Sequence, residues 1–161
     1  AQIRHIEAQL ARAVEQGARI IAGGSRVSDR DGLFFQPTII ECPDPAMDIV
    51  DTELFGPVLA VLRFSDEDDV VAQANRSVHG LAAGIFTRDS ARSMRMARRV
   101  RAGIVWVNTY RVISPIAEFG GSRQSGYGRE AGMQAVYDYT RPKTAWINIS
   151  DEPLANPFVM R

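Results

Sequence analysis

The 161-residue chain is 45% hydrophobic and 24% charged, and its 19 basic residues balance its 19 acidic ones. This composition is typical of one globular domain that is large enough to bury a core. The absence of net charge argues against attraction to nucleic acid or to an acidic membrane. A single cysteine excludes an internal disulfide. Because an unpaired cysteine fits a reducing compartment, we expect a cytoplasmic protein.

The first forty residues predict a helix followed by short strands. Apolar residues recur at helical spacing before Gly17, at positions 3, 6, 10 and 14, which indicates an amphipathic helix. Residues 19–22 predict a short buried strand. Two further β-prone segments, 33–35 and 38–40, flank Pro37, and a proline there favours a sheet edge or a break.

Apolar strands and amphipathic helices alternate between residues 58 and 107. The run 58–64 is nearly continuously apolar, as in a strand covered on both faces. A hydroxyl cap and acidic residues over 65–68 predict a helix that ends near Asn75. The remaining elements are a strand over 81–86, a helix from 89 or 90 with Met94, Ala97 and Val100 facing inward, and a strand over 104–107. This order predicts an α/β fold with an open, mostly parallel sheet and flanking helices.

The last fifty residues predict less regular structure. The loop 111–127 contains glycines that allow a close approach either to another loop or to a ligand. A helix is expected from about 128 to 139. Polar and apolar residues then alternate from Lys143 to Ile149, which predicts a half-exposed strand whose free edge pairs with another subunit. Residues 151–161 predict an irregular tail.

The stretch 51–58 combines a carboxylate, Glu53, and an aromatic ring, Phe55, on a lead-in that Gly56 and Pro57 restrict. In an extended segment the two side chains project to the same side. The carboxylate can accept hydrogen bonds from sugar hydroxyls while the ring packs on a flat heterocycle, which favours a small-molecule site. The other interpretation is structural, with Glu53 as a solvated loop acid and Phe55 as a core anchor.

Three other patterns carry weaker signals. Residues 126–131 match G-x-G-x-x-A, but a dinucleotide-binding loop follows a strand directly and opens a βαβ unit. The arginines at 88, 92, 95, 98, 99 and 101 are compatible with a nucleic-acid surface, but without interleaved aromatic residues a solvated helix face is favoured. Cys42 has no histidine nearby in sequence, so we do not expect a thiol nucleophile. No metal-ligand spacing is present in the sequence.

Four spaced motifs together resemble the C-terminal third of the aldehyde dehydrogenase superfamily. They are Glu53–Val58, Trp106–Asn108, Phe119–Gly121 with Ser125–Glu130, and Tyr139–Thr144. The resemblance covers about residues 1–150. It implies a partial catalytic domain over 1–139, an oligomerisation strand over 140–150 and an irregular tail over 151–161. It also implies oxidation of an aldehyde to a carboxylic acid with NAD or NADP, in which a cysteine thiolate captures the aldehyde and the cofactor accepts a hydride.

By motif position, the resemblance implies roles for four residues. Glu53 is similar to the acid that accepts hydrogen bonds from the nicotinamide ribose hydroxyls, and Phe55 is similar to the aromatic residue against that end of the cofactor. Phe119 resembles an aromatic residue of the aldehyde channel, and Asn108 resembles a structural residue near the site. The segment 143–149 resembles the strand that joins a partner subunit's sheet, which implies a homo-oligomer.

The family's nucleophile, its water-activating glutamate and its nucleotide-binding domain precede the region of resemblance, and Cys42 corresponds to neither catalytic role. We therefore expect this chain, which begins with Ala1, to be part of a longer enzyme and to be inactive alone. The alternative is a stand-alone, non-catalytic α/β binding or assembly module. Glu118 and Arg123 stand where proline and lysine are frequent in the family. The aldehyde, the local loop geometry and the choice between NAD and NADP stay open.

Overall fold

The computed structural model describes residues 1–29, 31–149, 151–152 and 158. Its helices and strands, in chain order, are α1 Gln2–Glu15, β1 Arg19–Ala22, β2 Thr38–Glu41, α2 Asp48–Asp51, β3 Val58–Val61, α3 Glu67–Arg76, β4 Ala82–Ile85, α4 Ser90–Arg99, β5 Ile104–Val107 and α5 Gln134–Asp138. A 3-10 turn lies at Arg123–Ser125. The predicted α/β class is confirmed, and α2 is an element that the sequence analysis did not anticipate.

The strands form two sheets. β1 pairs antiparallel with β2, β2 pairs parallel with β3, and β4 pairs parallel with β5. The expectation of one open, mostly parallel sheet is therefore not confirmed, because β3 and β4 belong to different sheets although α3 connects them. A crossover helix sets the direction of two strands without making them neighbours. The order of helices and strands along the chain therefore could not decide whether β3 and β4 are neighbours in one sheet.

The core lies between α1 and the three-stranded sheet. Its buried side chains are Ile6, Leu10, Ala13, Ala18, Ile40, Cys42, Met47, Ile49 and Leu54. Full burial of an aliphatic side chain contributes about 1.5–3 kcal/mol relative to exposure. This cluster therefore holds α2 and the residues that follow it against α1 and β2.

Three predictions about burial are wrong. All four residues of β1 are exposed, and β1 is an edge strand that pairs only with β2 among the described strands. Leu59 of β3 is 60% exposed, so the run that predicted a strand covered on both faces is covered on one. In α4, Met94 is 58% exposed and Met96 is buried. Residues two apart on a helix lie on nearly opposite faces, so only one of the two methionines can face inward, and it is Met96.

The arginine-rich face of α4 packs against acidic residues of α3. Arg92 and Arg95 each lie 2.7 Å from a carboxylate oxygen of Glu67, and Arg99 lies 2.5 Å from Asp68. The hydrogen bonds from Arg95 and then Arg92 lower the pKa of Glu67 to about 2. Half of the arginine pattern is thus accounted for by contacts between two helices, which agrees with a solvated helix face.

Helix α3 begins with a carboxylate cap. Asp66 Oδ1 accepts hydrogen bonds from the backbone N–H groups of Asp68 and Asp69, both at 2.9 Å. The predicted hydroxyl cap is wrong, since the Ser65 hydroxyl instead donates to Asp66 and Asp69. The carboxylate satisfies two N–H groups of the first turn, which have no partner within the helix.

Replacement of Asp66 by alanine should lower the free energy of unfolding by about 1 kcal/mol, the usual contribution of a helix N-cap. Urea unfolding of the chain measures this difference. Asp68→Ala is the matched control, because it removes an acid from the same turn and one exposed ion pair without removing the cap. Equal unfolding midpoints for Asp66→Ala and the unmodified chain would show that the cap does not stabilise α3.

The segment after α5 contains no assigned strand over 141–149. Trp146 is 93% exposed and Ile149 is 94% exposed. The predicted strand over 143–149 is therefore not confirmed within this chain. The predicted irregular tail lies mostly outside the described residues. Among the helices that the structure describes, none has both the length and the apolar character that crossing a membrane requires.

Candidate functional site

Glu53 and Phe55 flank a buried residue. Leu54 is 8% exposed and belongs to the core cluster, whereas Phe55 is 77% exposed and Glu53 is also exposed. The interpretation of Phe55 as a core anchor is therefore wrong, because Leu54 is the residue that anchors this segment. An exposed ring beside an exposed carboxylate can contact a flat ligand that carries hydroxyl groups.

The backbone at Phe55 adopts a left-handed conformation, with φ of +48°. This conformation costs a side-chain-bearing residue on the order of 1–2 kcal/mol, and such strain is common at binding sites. The same-side argument for Glu53 and Phe55 assumed an extended segment and does not apply. Gly56 does not have a positive φ; a Cβ at this position would overlap the side chain of Ile6. A larger residue here would therefore require the side chain of Ile6 in α1 to shift.

Gln2 supports this segment from the first residue of α1. Its side-chain amide donates to the carbonyl oxygen of Leu54 and, at 3.4 Å, to that of Phe55. Gln2 has no recognisable role in the sequence, because 52 residues separate it from Leu54 and no local pattern connects them. Phe55 also lines a cavity of about 490 Å³, whose other walls include Gln2, Ile6, Arg26, Phe34 and Pro57.

Asn108 follows β5 and binds the segment that follows β4. Its Oδ1 accepts from the N–H of Thr87, and its Nδ2 donates to the carbonyl of Thr87, both at 2.9 Å. One side-chain amide therefore continues the pairing of β4 with β5 past the end of both strands. The φ of Asn108 is +54°, a left-handed value in which asparagine is enriched. Asn108 lines a second cavity, of about 890 Å³, together with Phe86 and Thr87.

The residues immediately after Asn108 fold back on β5. Trp106 Nε1 donates to the carbonyl of Val112 at 2.8 Å. The ring of Trp106 meets that of Tyr110 edge to face, with centroids 5.2 Å apart. These contacts order the start of the loop that leads to Phe119.

Phe119 is half-buried, and its backbone pairs with that of Glu130 through two hydrogen bonds of 2.7 and 2.6 Å. This pairing explains why the predicted helix from 128 begins later, at Gln134. A Cβ at Gly120 would overlap the carbonyl oxygen of Gly128. The loop glycines are expected to approach either another loop or a ligand closely. Gly120 closely approaches a neighbouring loop, at the backbone of Gly128.

Arg129 also holds this loop. Its Nη1 donates to the carbonyl oxygens of Gly121, Gly128 and Tyr127, at 2.7, 2.9 and 3.2 Å respectively. Carbonyl groups that point into a loop need a donor, and a guanidinium supplies several N–H groups. The motif that contains Arg129 does not by itself indicate this role.

The four predicted site residues lie on three separate segments. Glu53 and Phe55 precede β3, Asn108 follows β5, and Phe119 lies in the loop after it. Phe55 and Asn108 line different cavities, and neither Glu53 nor Phe119 lines these two. Glu53 and Phe55 are close in sequence, and among the described residues Phe55 and Asn108 line separate cavities.

Cys42 is a core residue with 2% of its surface exposed. Burial raises the pKa of its thiol, which disfavours the thiolate that a nucleophile requires. Within the described residues, no three His, Cys, Asp or Glu side chains group in a way that could hold a metal ion.

A family model described as the aldehyde dehydrogenase family matches residues 1–145. The chain belongs to the aldehyde dehydrogenase family. The resemblance inferred from the motifs is therefore confirmed.

Comparison with two relatives shows what share of their length this chain matches. It is 48% identical, over 161 residues, to (Z)-2-((N-methylformamido)methylene)-5-hydroxybutyrolactone dehydrogenase of Acinetobacter baylyi, covering 99% of the chain and 33% of that protein. It is 39% identical, over 161 residues, to betaine aldehyde dehydrogenase of Rhizobium etli, covering 98% of the chain and 32% of that protein. The chain thus spans about a third of the length of these relatives.

Two solved structures have the same fold over this region. PnpE from Pseudomonas, in complex with nicotinamide adenine dinucleotide, is 37% identical with a TM-score of 0.89, and the match covers 98% of this chain and 32% of PnpE. An aldehyde dehydrogenase from Bacillus cereus, in an NAD⁺ complex, is 38% identical with a TM-score of 0.86, covering 92% and 30%. The described fold is therefore that of one part of an aldehyde dehydrogenase.

Proposed function

We propose that this aldehyde dehydrogenase chain forms part of an enzyme that oxidises an aldehyde to a carboxylic acid with NAD⁺ or NADP⁺. The observation that carries the proposal is the exposure of Glu53 and Phe55 on either side of the buried Leu54. The PnpE structure, which matches nearly the whole chain, holds nicotinamide adenine dinucleotide. Family membership supports the reaction class.

The exposed groups suit the nicotinamide end of the cofactor. An ionised carboxylate such as Glu53 can accept hydrogen bonds from two adjacent ribose hydroxyls. The ring of Phe55, 77% exposed, can pack on a flat heterocycle. When bound, the cofactor supplies the hydride acceptor. In the proposal, this chain holds and orients that acceptor, and orientation of reacting groups is a large part of catalysis.

Two further residues complete the proposed contribution to the site. Phe119, held through its backbone by Glu130, forms one wall of the aldehyde channel. Asn108, through its paired hydrogen bonds with Thr87, organises the loop between β5 and Phe119. In the proposal neither side chain reacts; the first excludes water and shapes the channel, and the second keeps the backbone in place.

We also propose that the chain is inactive alone. Its one thiol, Cys42, is buried and has a raised pKa, so it does not supply the nucleophile that aldehyde oxidation requires. The nucleophile, the base and the nucleotide-binding domain belong to a preceding part of the longer enzyme. In that enzyme, residues 143–149 join the sheet of a second copy. The cytoplasmic location stays a prediction.

The second candidate function is a non-catalytic binding or assembly module. The highly exposed apolar residues Trp146, Ile147 and Ile149 favour an assembly role, because exposed apolar patches often mark interaction sites. The two candidates differ in one respect that can be measured. Only the first requires that this region, within a longer protein, supports oxidation of an aldehyde.

We expect no aldehyde oxidation by the purified chain, with either NAD⁺ or NADP⁺, when reduced cofactor is monitored by fluorescence. The longer enzyme that carries the same region should oxidise aldehydes, and betaine aldehyde is one substrate to include because a relative bears that name. Turnover by the chain alone that disappears in Cys42→Ser would contradict the inactivity. A longer protein without any aldehyde oxidation would favour the assembly module.

A further inference from the structure

Arg76, the last residue of α3, binds the segment that leads to Glu53. Its Nη2 donates to Asp51 Oδ2 at 2.6 Å and also to the carbonyl oxygen of Pro45. Asp51 is the last residue of α2 and lies two residues before Glu53. One guanidinium thus joins α3 both to the loop before α2 and to the C-terminal end of α2.

The C-terminal end of α2 needs such a contact. With four residues, α2 is too short to be stable without tertiary contacts, and a carboxylate near a helix C-terminus interacts unfavourably with the helix dipole. The N-terminal half has other support, since Ile49 is buried and Arg12 lies 2.5 Å from Asp48. Arg76 places a positive charge where Asp51 ends the helix.

The end of α2 lies one residue away from the candidate site. Thr52, between Asp51 and Glu53, has extended backbone angles, with φ of −83° and ψ of 127°, and is the single residue that separates the two acids. Leu54 fixes the far end of the segment in the core. The position of Glu53 is therefore set from both sides, by Leu54 and by the contact of Arg76 with Asp51.

We propose that Arg76 is a positioning residue for the cofactor site: its contacts with Asp51 and Pro45 fix α2 and so orient Glu53 and Phe55. This inference rests on the proposed function for its link to the cofactor. It assigns Arg76 no contact with cofactor or substrate.

The first test uses the 161-residue chain and needs no activity. Backbone amide resonances and amide exchange rates of residues 52–55 are measured by NMR in Arg76→Ala. The resonances should shift and exchange should accelerate about threefold, the size expected for one exposed charge pair. Arg76→Lys, which keeps a cation with N–H donors, should retain the original pattern. Arg99→Ala, which removes another exposed ion pair of α3, should leave these residues unchanged.

The second test uses the longer enzyme. Arg76→Ala should raise the cofactor KM about threefold with a smaller change in kcat, and Arg76→Lys should restore the KM. Asp51→Asn should have an effect in the same direction, and the double variant should show little change beyond that of Arg76→Ala, because Arg76→Ala already removes the ion pair that Asp51→Asn removes. Arg99→Ala should leave the cofactor KM unaltered.

The outcomes separate the inference from the function on which it rests. Unchanged resonances of residues 52–55 in Arg76→Ala would overturn the positioning role outright. A raised cofactor KM in Glu53→Gln without any change in Arg76→Ala would also overturn it, while the cofactor site would stand. If Arg76→Ala perturbs residues 52–55 but neither variant changes the cofactor KM or kcat, then the proposed cofactor site fails, and the role of Arg76 there fails with it.

Discussion

Replacement of Glu53 by glutamine should raise the cofactor KM of the longer enzyme about tenfold or slow hydride transfer by a similar factor. The amide that replaces the carboxylate retains one acceptor oxygen but loses the charge, and hydrogen bonds to charged groups contribute about 1.5–3 kcal/mol. The fold should be intact, because the side chain of Glu53 is exposed and no core contact depends on it.

Initial rates over a range of cofactor concentrations distinguish a raised cofactor KM from a slower hydride transfer. A raised KM with constant kcat indicates that Glu53 binds the ribose equally in the ground state and the transition state. A lowered kcat with a deuterium isotope effect from the aldehyde indicates that it orients the nicotinamide for hydride transfer. Glu15→Gln, an exposed acid at the end of α1, is the matched control. Kinetics identical to those of the unmodified enzyme would remove Glu53 from the site.

Deletion of Lys143–Ile149 should change the oligomeric state, with the largest species in sedimentation velocity replaced by a smaller one. Trp146, Ile147 and Ile149 are 93%, 81% and 94% exposed. Residues 143–149 contain no assigned strand, and a segment of this kind can add as a strand to the edge of another sheet. Removal of the segment removes both the backbone groups and the apolar side chains that would form the contact.

A length-matched replacement of residues 143–149 by glycine and serine separates the sequence of the segment from its length. It should assemble no better than the deletion. Tyr139→Ser, which alters a residue that is 90% exposed outside the segment, should sediment like the unmodified chain. The same sedimentation profile for the deletion and the unmodified chain would count against the pairing role.

Local patterns predicted most of the elements. The helices α1, α3 and α4 and the strands β3, β4 and β5 begin and end within a few residues of the expected positions, because amphipathic spacing and caps depend on neighbouring residues. Helix α2 escaped prediction, since four residues cannot display a helical period. Family membership followed from spaced motifs, each of which would be weak evidence alone.

The supports of the candidate site depend on contacts between distant parts of the chain. Gln2 reaches Leu54 across 52 residues, and Arg76 reaches Asp51 across 25. Nothing in either local sequence indicates its partner, because a hydrogen bond of this kind exists only once the folded chain has brought the two distant segments together. The structure, rather than any motif, thus identified the residues that contact the segments on either side of Glu53.

The amino-acid sequence was sufficient for the family, the α/β class and the presence of an acid and an aromatic ring two residues apart. Folding decided which of these groups faces solvent: Leu54 enters the core, and the ring of Phe55 stays outside in a left-handed conformation. The reason is that burial is a property of the assembled layers, and the residues that cover a position come from elements far along the chain.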